Sequence, residues 1–277
     1  MRIAWLLVAI YALAMAFALF GIMVAIPHPE LWAGNATAMR LYAFALAGTG
    51  GTGTVIGALA MLAYGLAALG PRRTIVFFLA ATIVSAAAEL TGTKTGWPFG
   101  GYAYTDFLGP KLLGRVPFPI PLSWFAMGFA AFVIADAIVV TRGLRPRVGS
   151  AIVLAAWLLT AWDLVLDPSM AAPQLAYVHF WVWHEHGPYF GMPLRNLAGW
   201  FATGLTFIAL GRALWREPVA PLAPPLLPFV VYAIGVVWSM IIAVYAGMWP
   251  TALLGSLVAL APATLALRVA RTGAAAS

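Results

Sequence analysis

The sequence predicts an all-α fold, a polytopic membrane helix bundle of about eight transmembrane helices, and three observations predict it. Of 277 residues, 64% are apolar and only 8% charged, where soluble domains carry about 25% charged residues. Long apolar runs recur along the chain. A membrane span takes roughly 20 mainly apolar residues, so eight spans use about 160 of them. All but two of the intervening connections are short. So few charges cannot form a polar shell, which excludes a soluble enzyme, a disordered chain and a nucleic-acid-binding domain despite a formal net charge of +7.

Apolar stretches bounded by Pro, Gly and charge place the helices at about 3–26, 41–69, 74–90, 121–141, 149–166, 196–214, 226–246 and 250–268. The first run is too long for a signal-peptide core of about 7–15 residues and ends without a small-residue cleavage site. It is therefore expected to stay as a membrane helix. In the second, Thr49-Gly50-Gly51-Thr52-Gly53 interrupts the run and predicts a tilt or a break. Gly53 and Gly57 have the spacing that lets two helix backbones approach closely, and no Lys-Ser/Thr follows to make a phosphate loop. Asp136, inside the fourth helix, reads as a structural polar contact. The two long connections, about 91–120 and 167–195, are rich in Gly, Pro and aromatics, and are expected to fold back onto the membrane face. With no internal repeat and no boundary in composition, residues 1–277 read as a single integral-membrane domain.

Eight spans put both termini on one side. That side collects Arg2, Arg72, Arg73, Arg142, Arg145, Arg147, Arg212, Arg216, Arg268 and Arg271, against Arg40, Lys94, Lys111, Arg115 and Arg195 opposite. Lys and Arg gather in cytoplasmic loops, so the expectation is a multi-pass protein of the cell membrane with both termini in the cytoplasm. Of the acids, only Glu217 lies in a loop on the Arg-rich side. Glu30, Asp106 and Glu185 lie in loops on the other, and Glu89, Asp163 and Asp167 at helix ends facing it. Function is to be sought where those acids and the two aromatic loops meet.

Ionisable residues within a span are functional-site candidates by default. Asp163 and Asp167, four apart in Trp162-Asp163-Leu164-Val165-Leu166-Asp167-Pro168, share a face if the helix persists, with Asp163 about 6 Å deeper at 1.5 Å per residue. Two carboxyl groups this close in low dielectric do not both ionise easily, and one that keeps its proton can serve as a general acid. The alternative is that Asp167 turns the chain before Pro168 while Asp163 bonds a neighbouring helix. Glu89, ending the third helix on the same side, is the partner candidate, its alternative being a salt bridge to Lys94. Trp97, Tyr102, Tyr104, Trp124, Trp162, Tyr177, Trp181, Trp183, Tyr189 and Trp200 crowd this side. Interfacial belts account for about half of them, and the surplus suits a long apolar ligand or a cation. Cysteine is absent, which excludes thiolate and iron–sulfur chemistry. Four histidines, with His179, His184 and His186 close together, are too few for a membrane di-iron site; they read as interfacial loop residues, the alternative being a mononuclear His/Glu metal site.

Four segments carry a resemblance. They are Glu89-Leu90-Thr91-Gly92 with Thr95-Gly96-Trp97-Pro98-Phe99-Gly100-Gly101-Tyr102-Ala103-Tyr104, then Val116-Pro117 with Pro121-Leu122-Ser123-Trp124, then residues 162–168 and finally Tyr189 through Trp200. In matching order over about 85–202, they resemble the CruF-type carotenoid 1,2-hydratases, carotenoid biosynthesis membrane proteins related to the bisanhydrobacterioruberin hydratases. The resemblance implies hydration of the terminal 1,2 double bond of an acyclic (psi) end group on lycopene, γ-carotene or a C50 carotenoid, without a redox cofactor. Partners are then the acyclic carotenoid, water, the bilayer and other carotenoid-pathway membrane enzymes.

Chemistry assigns the roles. Protonation at C2 leaves a tertiary cation at C1, which needs an acid, an aromatic surface and a water. Asp163 is expected as the acid, with Asp167 or Glu89 to position and deprotonate the water. Trp97, Tyr102, Tyr104, Trp124, Trp162, Trp183 and Trp200 are expected to line the end-group pocket. Asn196 either bonds the water or a carboxyl group or caps its helix. Two other classes compete. An intramembrane prenyltransferase fits the Asp163/Asp167 spacing but lacks a second acidic motif. A small-molecule or proton transporter fits Asp136, Asp163 and Glu89 as a relay and the Gly-rich break, but not the missing repeat. A non-catalytic pathway scaffold is not separable by sequence.

Overall fold

The computed structural model describes residues 1–48, 51–215, 222, 225–265 and 267, the helix of residues 36–48 by its backbone alone beyond Tyr42. Thr49, Gly50, Arg216, Glu217, Arg268 and Arg271, which bear on the helix break and the charge count above, lie outside them. Nine α-helices occur among the described residues: α1 (Arg2–Phe20), α2 (Ala36–Gly48), α3 (Thr52–Ala68), α4 (Pro71–Thr95), α5 (Pro119–Arg142), α6 (Arg147–Met170), α7 (Arg195–Ala213), α8 (Leu226–Tyr245) and α9 (Trp249–Leu254). α1 and α9 each run on into a π-helical turn, Gly21–Ala25 and Gly255–Leu260.

Among the described residues five helices are long and apolar enough to cross a membrane: Arg2–Ala25, Pro71–Thr95, Pro119–Arg142, Arg147–Met170 and Leu226–Tyr245. Thr52–Ala68 and Trp249–Leu265 are apolar but shorter. The bundle is thus all-helical as expected, with five full-length candidate spans where the sequence led to about eight. α5 is its axis, touching α3, α4, α6, α7 and α8, and most of its apolar window is buried, whereas that of α1 is mostly on the outside.

Helix ends follow local chemistry. Gly70, at φ +85°, and Pro71 open α4, and Gly96, at φ +77°, closes it, the left-handed stop at which glycine has no Cβ penalty. α4 runs past the expected end at Leu90, and in its added turn Thr91, Thr93 and Thr95 turn their hydroxyls onto the carbonyls of Ala87, Glu89 and Thr91. α6 likewise passes the expected end at Leu166, and Pro168 lies inside it.

The second apolar run is two helices rather than one, with α3 starting after Gly51. A Cβ on Gly51 would stand 2.3 Å from the Pro119 ring, so glycine lets α3 start against the head of α5. Gly53 and Gly57 do admit a neighbouring helix: added Cβ atoms would meet Met15 Sδ at 2.9 Å and the Tyr11 ring at 3.2 Å, both on α1. Asp136 is a structural ion pair, its carboxylate accepting from Arg147 Nη2 at 2.8 Å and from the Leu222 amide at 2.9 Å.

The two long connections do fold back, and they pair with each other. β1 (Tyr102–Tyr104) and β4 (Trp181–Trp183) form an antiparallel ladder with Tyr102 opposite Trp183 and Tyr104 opposite Trp181. A second ladder, β2 (Lys111–Leu112) with β3 (Val116–Pro117), closes the turn before α5. The loops are pinned by Lys111 to Asp106 at 2.7 Å and by an Arg195–Glu185 ion pair.

Candidate active site

Side chains on a strand alternate, so residues two apart share a face. In Tyr102-Ala103-Tyr104 and Trp181-Val182-Trp183 the middle residues point out, and the four aromatics point in. Their rings meet across the ladder, Tyr102 to Trp183 at 5.4 Å and Tyr104 to Trp181 at 5.8 Å. The loop is held down by Phe99, 2% exposed, which wedges between α4 and α7. A Cβ on Gly92 would lie 2.8 Å from its ring and one on Gly199 2.7 Å from it.

Glu89 is buried beneath this ladder. Its Oε2 accepts from the hydroxyls of Tyr102 and Tyr104, the latter at 2.9 Å, and its Oε1 from the indole N–H of Trp124 at 2.9 Å. Three donors on one carboxyl group make Glu89 an acceptor, and Lys94 is not among them. Burial first, then the Glu89 charge, pushes both phenols well above their ordinary range, so they stay protonated as donors.

Asp163 and Asp167 are both buried on α6. Because the helix continues through Pro168, they fall on one face, and Asn196 Nδ2 donates to both, to Asp163 Oδ2 at 2.8 Å and to Asp167 Oδ2. The two carboxyl groups thus share a single amide nitrogen. Asn196 is the second residue of α7, where no side chain caps the helix, so of its two expected roles the carboxyl contact is the one observed. Asp163 Oδ1 is buried without a partner, as is Trp183 Nε1.

Two cavities adjoin here. The small one, about 30 Å³, is lined by Glu89, Asp167, Asn196, Tyr102, Tyr104 and Ser123 with the rings of Phe99, Trp124, Trp181, Trp183 and Trp200. That is room for a water molecule. The large one, about 590 Å³, runs between α1, α2, α3, α5, α6 and α8, and its lining is almost wholly apolar. That is the size range of sites that bury an organic ligand. Ile120, Ser123, Leu166 and Trp181 line both, so the apolar space ends at the carboxyl groups. Trp162 faces the large cavity, edge-on to Trp200 at 5.8 Å, and Trp200 stacks on Trp124 at 4.1 Å.

Of the expected site residues, Glu89, Asp167, Tyr102, Tyr104, Trp124, Trp183, Asn196 and Trp200 come together at the small cavity, and Trp162 next door. Asp163 is not among the lining residues; it reaches the site through Asp167 and Asn196. Trp97 is 70% exposed and lines neither cavity. Sequence reasoning passed over Ser123, Phe99 and, as a lining residue, Trp181, although Trp181 shares a strand face with Trp183. The histidines go elsewhere. His28 pairs with Glu30, whose carboxyl is held below its usual range by a backbone hydrogen bond first and then by that of His28, and His179 Nε2 meets the Ala172 carbonyl at 2.7 Å. Among the described residues no three His, Asp or Glu side chains assemble as a metal-ligand set.

Bisanhydrobacterioruberin hydratase of Haloarcula japonica is 35% identical over 158 residues, covering 57% of this chain and 51% of that protein, so the chain matches about half the length of this curated relative. No solved structure matches. The family model described as carotenoid biosynthesis protein matches residues 49–262, well beyond the 85–202 core of the resemblance. It takes in α3 through α9, and the chain belongs to the carotenoid biosynthesis protein family.

Proposed function

We propose that this chain is a carotenoid hydratase, a cofactor-independent hydro-lyase that adds water across the terminal 1,2 double bond of an acyclic end group on lycopene, γ-carotene or a C50 carotenoid. The single observation that carries the reading is the wall shared by the two cavities: an apolar space for a polyene chain ends against a water-sized polar one holding carboxyl groups and indoles. The name of the Haloarcula relative supports it independently.

The acid is the Asp163–Asp167 pair, which holds one proton between two carboxyl groups. Sequence reasoning favoured Asp163 as the donor; the cavity lining favours delivery through Asp167, with Asp163 behind it. The proton goes to C2 of the end group, and the π electrons of the double bond form the new C–H bond. The tertiary cation left at C1 lies against the faces of Trp124, Trp200 and Trp181, where ring quadrupoles stabilise positive charge. Water, held by the free N–H of Trp183, forms the C–O bond at C1. Its spare proton passes to Glu89, the acceptor that Tyr102, Tyr104 and Trp124 hold in place, and returns to the aspartate pair. The product is a tertiary alcohol, and no electrons are exchanged with any other reagent.

In the membrane, the arrangement fits eight crossings, with α3, α7 and α9 completing the five long helices. Both termini are then in the cytoplasm of the cell and the site lies toward the opposite face, next to other membrane enzymes of the pathway. The test is expression in cells that accumulate lycopene, γ-carotene or an acyclic C50 carotenoid, followed by mass analysis. A product heavier by one water is expected; its absence with all three substrates refutes the hydratase.

A further inference from the structure

Inside an α-helix the carbonyl of residue i takes the amide of residue i+4, and proline has no amide to give. Pro168 therefore leaves the carbonyl of Leu164 without its donor, in the one turn that carries Asp163 and Asp167. At an uncompensated proline the ring pushes the preceding carbonyl aside and the helix kinks. Any kink between 164 and 168 would splay the two carboxyl groups apart and away from the single amide nitrogen they share.

The missing donor comes from elsewhere. Tyr189 Oη donates to the Leu164 carbonyl at 2.7 Å. Burial first, then the Asp163 charge, pushes this phenol up to about 12, so it is a donor throughout the working range. Tyr189 sits on a tight turn in which Gly187 N meets Gly191 O at 3.0 Å and Met192 N meets Tyr189 O at 2.9 Å. The turn needs its glycines. A Cβ on Gly187 would stand 2.0 Å from the Met192 carbonyl oxygen, and Gly191 lies at φ +88°. Four residues after Met192 the same segment delivers Asn196, whose Nδ2 also touches Met192 Sδ at 3.1 Å. One loop thus grips one turn of α6 twice, by its backbone through Tyr189 and by its carboxyl groups through Asn196.

We propose that Tyr189 is a positioning residue whose hydroxyl replaces the amide missing at Pro168 and so keeps Asp163 and Asp167 in helical register with Asn196. The proposal rests on the hydratase reading only in that the two carboxyl groups are taken as the acid. It also explains why a proline is tolerated directly after two functional groups that must share a face.

The test is a double-mutant cycle. Pro168→Ala restores the amide to Leu164, so Tyr189→Phe is measured with and without it, as kcat and KM for carotenoid hydration per amount of folded protein in the membrane. In the native background Tyr189→Phe is expected to lower kcat between about ten- and a hundredfold with KM little changed, the size of a small misplacement of reacting groups. In the Pro168→Ala background the same substitution should cost no more than about twofold, a coupling between neighbours that independent sites do not show. An equal loss in both backgrounds, or wild-type kcat for Tyr189→Phe alone, overturns the proposal. If the unsubstituted protein hydrates nothing, it is the function that fails. The cycle is then read in thermal unfolding midpoints, where loss of the same coupling overturns the bond.

Discussion

Replacing Asn196 by leucine tests the acid site with little change in side-chain volume. Its amide nitrogen serves Asp163 and Asp167 at once. Leucine removes both bonds and leaves Asp163, whose Oδ1 is already unpartnered, with Asp167 alone. Polar contacts between helices in membranes are worth about 0.6 kcal/mol on average and at most about 1.7 kcal/mol each, so two amount to about 1–3 kcal/mol. If that energy orients the acid in the transition state, turnover falls between about five- and two-hundredfold, at 1.36 kcal/mol per tenfold. The assay is hydration of lycopene by the purified protein in detergent, read beside its thermal unfolding. Asn196→Ser separates the two roles open to this residue, since serine is a good helix cap but too short to reach two carboxyl groups. It should fail as leucine does. Turnover within about twofold of wild type for Asn196→Leu, or full activity for Asn196→Ser, refutes the reasoning, because either result means that a carboxyl pair without this amide is still in place.

Glu89→Gln puts an NH2 against donors already aimed at it, so hydration should fall by at least about a hundredfold, as for loss of a general base; near-normal kcat would remove Glu89 from the chemistry. Leu166→Trp fills the wall common to both cavities, and product should vanish while the protein still inserts, checked by mass analysis beside a membrane-fraction blot. Trp97→Ala is expected to leave kcat and KM within about twofold of wild type, because an indole this exposed contributes little beyond its own surface; a large loss would place Trp97 at the substrate.

Much of the site was legible for a simple reason. A chain with eight acidic residues places few of them near lipid without cause, and Glu89, Asp163 and Asp167 stood out before any geometry. Their partners were harder. Tyr-Ala-Tyr and Trp-Val-Trp alternate with the strand period, but three residues are too short for a period to be read, and pairing across 77 or more residues depends on where the helices put the two loops. The continuation of α6 was legible only as one of two outcomes. Pro168 reads as a stop, and the hydroxyl that offsets it lies 25 residues beyond the Leu164 carbonyl it serves. The break in the second apolar run was foreseen as one of two outcomes, because Gly-rich sequence permits a bend without requiring one.

The division of labour between helices and loops bears on how the proposed hydratase would avoid quenching its own cation. A tertiary cation reacts with whatever nucleophile reaches it, so water must be confined to one carbon. The apolar cavity offers the chain little to bond with along its length, and polar side chains converge only where that cavity ends. The two carboxyl sets at that point are supported separately: Glu89 by the strand ladder and Trp124, the aspartate pair by Asn196 and the turn that carries Tyr189. Loosening the ladder should therefore impair removal of the water's proton while the acid stays in place, and loosening the 187–192 turn should do the reverse. If the two supports act separately, Tyr104→Phe and Tyr189→Phe should multiply in their effects on kcat, as distant sites do. A joint loss no larger than either alone would mean that the ladder and the turn hold a single rigid unit, and that acid and base are positioned together.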